Sequence, residues 1–79
     1  MDAIEALVRS LPGDADRIRR LYWRDPEFRT VCEEYRDVLE AASRFESSNP
    51  PFPARAEEYR QLAAELLAET AAMLKGDRQ

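Results

Sequence analysis

Apolar residues recur at intervals of three and four positions between residues 28 and 45, which is the spacing of one face of an α-helix. Charged residues occupy the positions between them, so the pattern predicts an amphipathic helix with one buried side. Asp25 is a good N-cap because its carboxylate can accept hydrogen bonds from the first turn, and Pro26 fits the first helical position. We therefore predict a helix over residues 26–46, with these apolar positions: Phe28, Val31, Cys32, Tyr35, Val38, Leu39, Ala42 and Phe45.

A second apolar pattern of helical spacing predicts a helix over residues 54–75. Gly76 follows it and favours a helix end, so residues 76–79 are predicted to be a frayed tail. The connecting segment ESSNPPFP contains three prolines, which cannot continue a helix. The two helices are thus expected to form a long antiparallel hairpin over residues 25–75. The apolar positions of the second arm are Tyr59, Leu62, Ala63, Leu66, Leu67, Thr70, Met73 and Leu74.

Residues 1–24 predict one or two short N-terminal helices. Residues 2–10 are amphipathic until Leu11-Pro12-Gly13 interrupts them, and residues 15–24 form a second segment that ends before Pro26. The fold class is therefore all-α, with residues 1–79 expected to form a single domain, a three- or four-helix bundle. Two arrangements are open: the N-terminal helices cover the hairpin within one chain, or two hairpins pair as a symmetric homodimer.

Length limits the size of the core. A chain of 79 residues buries only about 60% of the surface that it exposes when unfolded, and small domains often gain stability from a second subunit. The net charge of −4 argues against general affinity for nucleic acid or anionic lipid. No apolar run approaches the ~20 residues that span a bilayer, so no membrane partner is expected.

The cysteine content bears on the cell compartment of the protein, and the arginine content bears on its source. Cys32 is the one cysteine, which excludes a disulfide within the chain and fits a reducing cytoplasm. Eleven of the twelve basic residues are arginine and alanine is abundant, a bias typical of a bacterium with a GC-rich genome. We therefore expect a cytoplasmic protein from such a source.

The most distinctive local composition lies between Arg17 and Arg29, where arginines alternate with aromatic residues. Arginine and tryptophan dominate the energetically important positions of protein interfaces. The same combination also binds single-stranded nucleic acid, with charge for phosphates and ring faces for bases. A third interpretation is structural: the aromatic rings pack in the core and the arginines pair with acidic neighbours. The residues predicted to contact a partner are Arg19, Arg20, Trp23 and Arg24.

Residue types that carry out most protein chemistry are missing or isolated. The chain has no histidine, so a Cys-His nucleophile and a Glu-x-x-His di-metal site are both excluded. Cys32 is predicted to act as a small buried apolar side chain. The carboxylates of the central helix are predicted to form a solvated face. We therefore expect no catalytic activity, cofactor, metal or small-molecule substrate. The carboxylates in question are Glu33, Glu34, Asp37 and Glu40.

The segments LYWRDPEF, CEEYR and ARAEEYRQL give the chain a resemblance to small all-helical bacterial proteins. The resemblance covers residues 21–36 and 54–62, which is under half of the chain. It implies a helical fold and a bacterial source. It transfers no catalytic or binding residue, because no function attaches to that class of protein.

These observations predict a small cytosolic helical module that binds a protein partner, or its own copy, through a helical surface. The alternative is a nucleic-acid-associated regulator that uses residues 17–29 for binding. The overall acidity of the chain disfavours nucleic acid as the partner.

Overall fold

The computed structural model describes residues 1–77, which form four α-helices and no strand. Helix α1 spans Ala3–Ser10, α2 spans Ala15–Arg24, α3 spans Pro26–Ser47 and α4 spans Pro53–Asp77, with a 3-10 turn at Pro12–Asp14. Helices α3 and α4 are antiparallel. An ion pair between Glu46 and Arg60 joins them beside the connecting loop, and Arg24, just before α3, pairs with Asp77 at the end of α4. The all-α fold class and the helical hairpin are confirmed.

The start of α3 agrees with the predicted cap. One carboxylate oxygen of Asp25 accepts hydrogen bonds from the backbone N–H groups of Glu27 at 3.0 Å and Phe28 at 3.3 Å. Pro26 is the first residue of the helix, where its missing N–H leaves no hydrogen bond unmade. These contacts satisfy two of the free N–H groups in the first turn and fix the corner between α2 and α3.

The second arm extends two residues beyond its predicted end at about residue 75. Helix α4 continues through Gly76 to Asp77, so these two residues are helical rather than part of a frayed tail, and residues 78 and 79 lie outside the described residues. Gly76 has no positive φ, so it does not adopt the left-handed conformation with which glycine ends a helix. An ion pair of 2.5 Å from Arg24 to Asp77 holds the last turn against α2.

One hydrophobic core contains side chains from all four helices. Leu7 of α1, Ile18 of α2 and Phe28 of α3 are completely buried, and Leu74 of α4 is 2% exposed. Helix α4 contributes small residues to the interface with α3, and the distance between packed helices depends on the side chains at the contact. The buried residues of the core cluster are Ala3, Ala6, Leu7, Ile18, Leu21, Phe28, Val31, Cys32, Tyr35, Ala63, Leu66 and Leu74.

The N-terminal helices fold back onto the hairpin within the same chain. The hydroxyl groups of Ser10 and Tyr35 lie 2.9 Å apart and join α1 to α3, and the N-terminal ammonium lies 3.2 Å from Glu40. Among residues 1–77, the polar contact furthest along α3 from the N-terminal part of the chain is the one from Met1 to Glu40. Beyond Leu39, this side of α3 continues as exposed, polar Ser43 and Glu46. The half of the hairpin near the connecting loop is therefore left uncovered by α1 and α2.

Candidate protein-interaction surface

The four residues predicted to contact a partner lie on the outer side of α2. Ile18 and Leu21, on the inner side, are 0% and 4% exposed. At about 100° per residue, the outer positions span roughly 140° of the helix surface. The structure therefore brings the predicted residues together, because the residues of α2 that are buried in the core lie on the other side. We call this surface the Trp23 face; its exposed residues are Asp16, Arg19, Arg20, Trp23 and Arg24.

Trp23 is 71% exposed, which makes it the most exposed large apolar side chain in residues 1–77. Its ring lies edge-on to Tyr22, with ring centroids 5.1 Å apart and ring planes at 86°. This contact orients the indole without covering its outer side. Beside it lies a shallow groove of about 270 Å³, lined by Asp2, Ala3, Ile4, Tyr22, Trp23 and Arg36. A partner's apolar side chain therefore has room to pack next to the indole.

The arginines of the Trp23 face differ in their ion pairs. Nη1 of Arg19 lies 3.9 Å from Oδ1 of Asp16, an exposed pair of the kind that contributes little energy. Arg24 pairs with Asp77 at 2.5 Å, so much of its charge is balanced within the chain. Arg20 makes no ion pair or hydrogen bond with any residue in the described part of the chain. The guanidinium groups of Arg19 and Arg20 are therefore available to pair with carboxylates of a partner.

Two other members of the Arg/aromatic segment are structural. Arg17 pairs with Asp14 at 2.5 Å, next to the 3-10 turn. Phe28 is completely buried in the core. Within residues 17–29, Trp23 is therefore the one aromatic residue whose ring is mostly exposed to solvent.

Tyr22 and Arg29 link α2 to α3. The guanidinium of Arg29 lies 5.8 Å from the centroid of the Tyr22 ring, and its Nε donates a hydrogen bond of 3.2 Å to the Tyr22 carbonyl oxygen. Burial raises the pKa of Tyr22, and the negative charges of Glu33 and Asp2 raise it further. The phenol therefore stays neutral at physiological pH, and the pair fixes the end of α2 that carries Trp23.

The carboxylates of α3 lie close to a guanidinium. Arg36 lies among them, with its Nη2 2.9 Å from Asp37 and its Nε 4.0 Å from Glu40, and the hydrogen bond to Asp37 raises the pKa of Arg36. Glu34 and Asp37 are exposed. No three metal-ligating side chains come together anywhere in residues 1–77. These contacts fit the predicted solvated face.

Cys32 is completely buried, as predicted. Burial raises the pKa of its thiol to about 12, and the charge of Glu33 adds to the effect. The thiolate, which is the reactive form of cysteine, is therefore absent at physiological pH. Cys32 fills space in the core.

The apolar spacing does not predict an aromatic cluster that lies at the hairpin loop and includes Phe52 of the connecting segment. Phe45 stacks on Tyr59, with centroids 5.4 Å apart and planes at 14°, and lies edge-on to Phe52 at 6.1 Å. The guanidinium of Arg55 lies 5.9 Å from the Phe45 centroid. Phe52 is 49% exposed, so the cluster closes the loop and still presents an apolar surface. We call Phe45, Phe52 and Tyr59 the loop cluster.

The prediction that Leu62 belongs to the buried stripe of α4 is wrong, because this side chain is 41% exposed. The residues that face α3 at this level are small and lie seven apart: Ala56, Ala63 and Thr70, all buried. Leu62 precedes Ala63 and so lies about 100° away around the helix. The regular spacing of small residues is the sequence signal that identifies the true inner side.

Comparison with protein-family models, with curated proteins and with solved structures found no match to the chain. None of the helices in residues 1–77 is long and apolar enough to cross a membrane.

Proposed function

We propose that the chain is a small cytosolic helical module that binds a protein partner through the Trp23 face and has no catalytic activity of its own. The observation that carries the proposal is the 71% exposure of Trp23 on a regular helix. Exposed apolar surface costs roughly 25 cal/mol per Å², which burial in an interface recovers. Tryptophan and arginine are also enriched among the residues that contribute most to binding.

The Trp23 face fits a partner that combines acidic residues with one apolar anchor. Arg19 and Arg20 place positive charge on either side of the indole, and a guanidinium can form paired hydrogen bonds with a carboxylate. The groove beside Ile4 receives the anchor. Charges at the rim mainly speed and orient association, whereas the buried indole supplies affinity. An amphipathic helix with acidic residues around a leucine or phenylalanine meets these requirements.

The test is a pull-down of the tagged chain from lysate of its source organism, with and without nuclease, read by mass spectrometry. Capture is compared for the original chain, Arg19→Glu/Arg20→Glu, Trp23→Ala and the control Arg44→Glu/Lys75→Glu. The control makes the same change in net charge at exposed positions on α3 and α4. We expect the original chain and the control to capture the same protein with and without nuclease. We expect the first two variants not to capture it. Equal capture by every variant refutes the role of the Trp23 face.

A nucleic-acid-associated regulator is the alternative, because the Trp23 face combines three arginines with an exposed aromatic ring. The support is weaker: one ring, rather than all three of the segment, is mostly exposed, and the net charge is −4. Such binding falls steeply with salt because counterions are released. A titration of a labelled single-stranded oligonucleotide decides between the two. Salt-sensitive binding that Arg19→Glu/Arg20→Glu abolishes favours the alternative, and no binding at low ionic strength excludes it.

A further inference from the structure

Helix α4 carries a second exposed stripe on the outside of the hairpin. Arg55, Leu62 and Glu69 are seven residues apart and all exposed, so they form a nearly straight line along the helix. We call these three residues the α4 seam. A neighbouring line with the same spacing is more deeply buried and consists of Tyr59, Leu66 and Met73.

The α4 seam is distinct from the side of α4 that packs in the chain. The inner side, with Ala56, Ala63 and Thr70, is 0–4% exposed. A surface helix in a small domain needs one apolar side to join its core. Leu62, 41% exposed in the middle of the seam, is not part of that core. Residues seven apart lie on one side of a helix, so all three members of the seam can face the same second helix.

The charges of the seam lack partners within the described residues. Arg55 contacts the Phe45 ring but forms no ion pair, and Glu69 forms no ion pair or hydrogen bond. Both are seven residues from Leu62, which is about 10 Å along the helix in each direction. A copy of α4 that runs antiparallel and is centred on Leu62 therefore places its Glu69 opposite Arg55. A parallel copy would set like charges opposite each other, so the seam selects the antiparallel arrangement.

We propose that the α4 seam binds a second copy of this chain and forms a symmetric, antiparallel dimer. The twofold axis passes beside Leu62, and two Arg55–Glu69 ion pairs flank the two leucines. Tyr59 and Glu65 lie about 60° to either side of Leu62, at the two edges of the contact. Phe52 precedes the first residue of α4 and lies at the loop end of the contact. The pairing thus covers the outer side of α4 between Arg55 and Glu69.

The thin core of the chain gives this dimer a physical reason. A domain of 79 residues has a small core and commonly gains stability from added burial, and an isologous contact supplies the same patch twice. The proposal uses α4, whereas the proposed partner site uses α2. Either can therefore fail while the other stands, and their variants do not overlap.

The first test measures the dimer dissociation constant by analytical ultracentrifugation over a range of protein concentrations. Arg55→Glu or Glu69→Arg alone turns two attractive pairs per dimer into repulsive ones, so each is expected to weaken the dimer about tenfold. The double variant Arg55→Glu/Glu69→Arg restores opposite charges and is expected to return to the original value. Arg44→Glu on α3 is the matched control, with no effect expected. Circular dichroism confirms that each variant stays helical.

The second test maps the axis by crosslinking. Leu62→Cys is expected to form a disulfide between copies under mild oxidation, because the twofold axis brings the two positions together. Ala64→Cys is the control, since Ala64 is also exposed and lies about 160° away around the helix. Buried Cys32 takes no part. A monomer at all concentrations, a dimer indifferent to the charge changes, or equal crosslinking at both positions would each overturn the proposal.

Discussion

Replacing Trp23 with alanine removes the largest type of side chain, and the exposure of this residue predicts a small loss of stability. A well-buried tryptophan removes about 150–250 Å² from water. Trp23 is 71% exposed, so it hides roughly a third of that area. At 25 cal/mol per Å² this burial contributes about 1–2 kcal/mol. Alanine regains about 0.5 kcal/mol through its better helix propensity, which leaves a net loss near 1 kcal/mol.

Phe28→Ala is the contrasting perturbation, because Phe28 is completely buried. Removing a buried phenylalanine leaves a cavity and costs about 3–5 kcal/mol. A domain of this length has a total unfolding free energy of about 4–12 kcal/mol. Phe28→Ala therefore removes a large fraction of the stability and Trp23→Ala a small one, although both delete an aromatic ring.

Urea unfolding followed by circular dichroism measures the loss of stability in both variants, because the helical signal does not depend on the tryptophan. Equal slopes of the unfolding free energy against urea concentration show that the variants expose similar surface areas when they unfold. Fluorescence of the unaltered chain supplies an independent check: acrylamide should quench Trp23 nearly as well in the folded as in the unfolded protein. A loss of about 3 kcal/mol or more for Trp23→Ala, comparable with Phe28→Ala, would mean that Trp23 is a core residue. The proposed partner site would then have no basis.

Two further perturbations test the core and the attachment of α1. The folded pKa of Cys32 is raised from 9.0 to about 12, so the stability gained by burying the neutral thiol is complete below pH 9 and is lost as the pH rises towards 12. The unfolding free energy falls by up to about 1.4 kcal/mol per pH unit in that range. In Cys32→Ala the unfolding free energy, measured with urea, should depend less steeply on pH. Tyr35→Phe removes the hydrogen bond to Ser10 and should lower the unfolding free energy by about 1 kcal/mol. The double variant Tyr35→Phe/Ser10→Ala should lose little more than the single variant, because both changes remove the same contact. Fully additive losses would contradict this contact.

The hairpin could be predicted from sequence because its signals are local. Apolar residues recur with helical spacing through α3, Asp25 and Pro26 define its start, and three prolines interrupt the chain before α4. Each signal acts within one or two turns of a helix. The two arms then have few ways to bury their apolar sides other than against each other, so the antiparallel pairing follows.

The end of α4 and the orientation of Leu62 depend on contacts that local patterns do not contain. Gly76 favours a helix end by itself, yet Arg24, 53 residues earlier in the chain, holds Asp77 in place. Leu62 fits the apolar spacing of α4, but Ala63 next to it allows the closer approach to α3 and takes the inner position. In both cases a tertiary contact determined the outcome.

The candidate site was partly predictable for a related reason. Arg19, Arg20, Trp23 and Arg24 share one side of α2, and the spacing of Ile18 and Leu21 already places them there. Spacing alone did not decide whether another helix covers that side. The answer depends on where α1 and the hairpin pack, and these contact the inner side of α2 and leave the indole exposed.

The positions of the two proposed surfaces relative to each other suggest how the dimer would affect partner binding. Each Trp23 face lies beside the end of α4, because Arg24 pairs with Asp77. Asp77 is 15 residues from Leu62, so an antiparallel dimer centred on Leu62 separates its two Asp77 residues by about 45 Å along the helix. The two Trp23 faces then lie at opposite ends of the dimer, too far apart to bind one short helix together. A partner with two suitable segments, or a surface that carries many copies of one, would be held by both ends with an affinity greater than either alone. Self-association through α4 would in this way strengthen partner binding through α2 without adding a single contact to it.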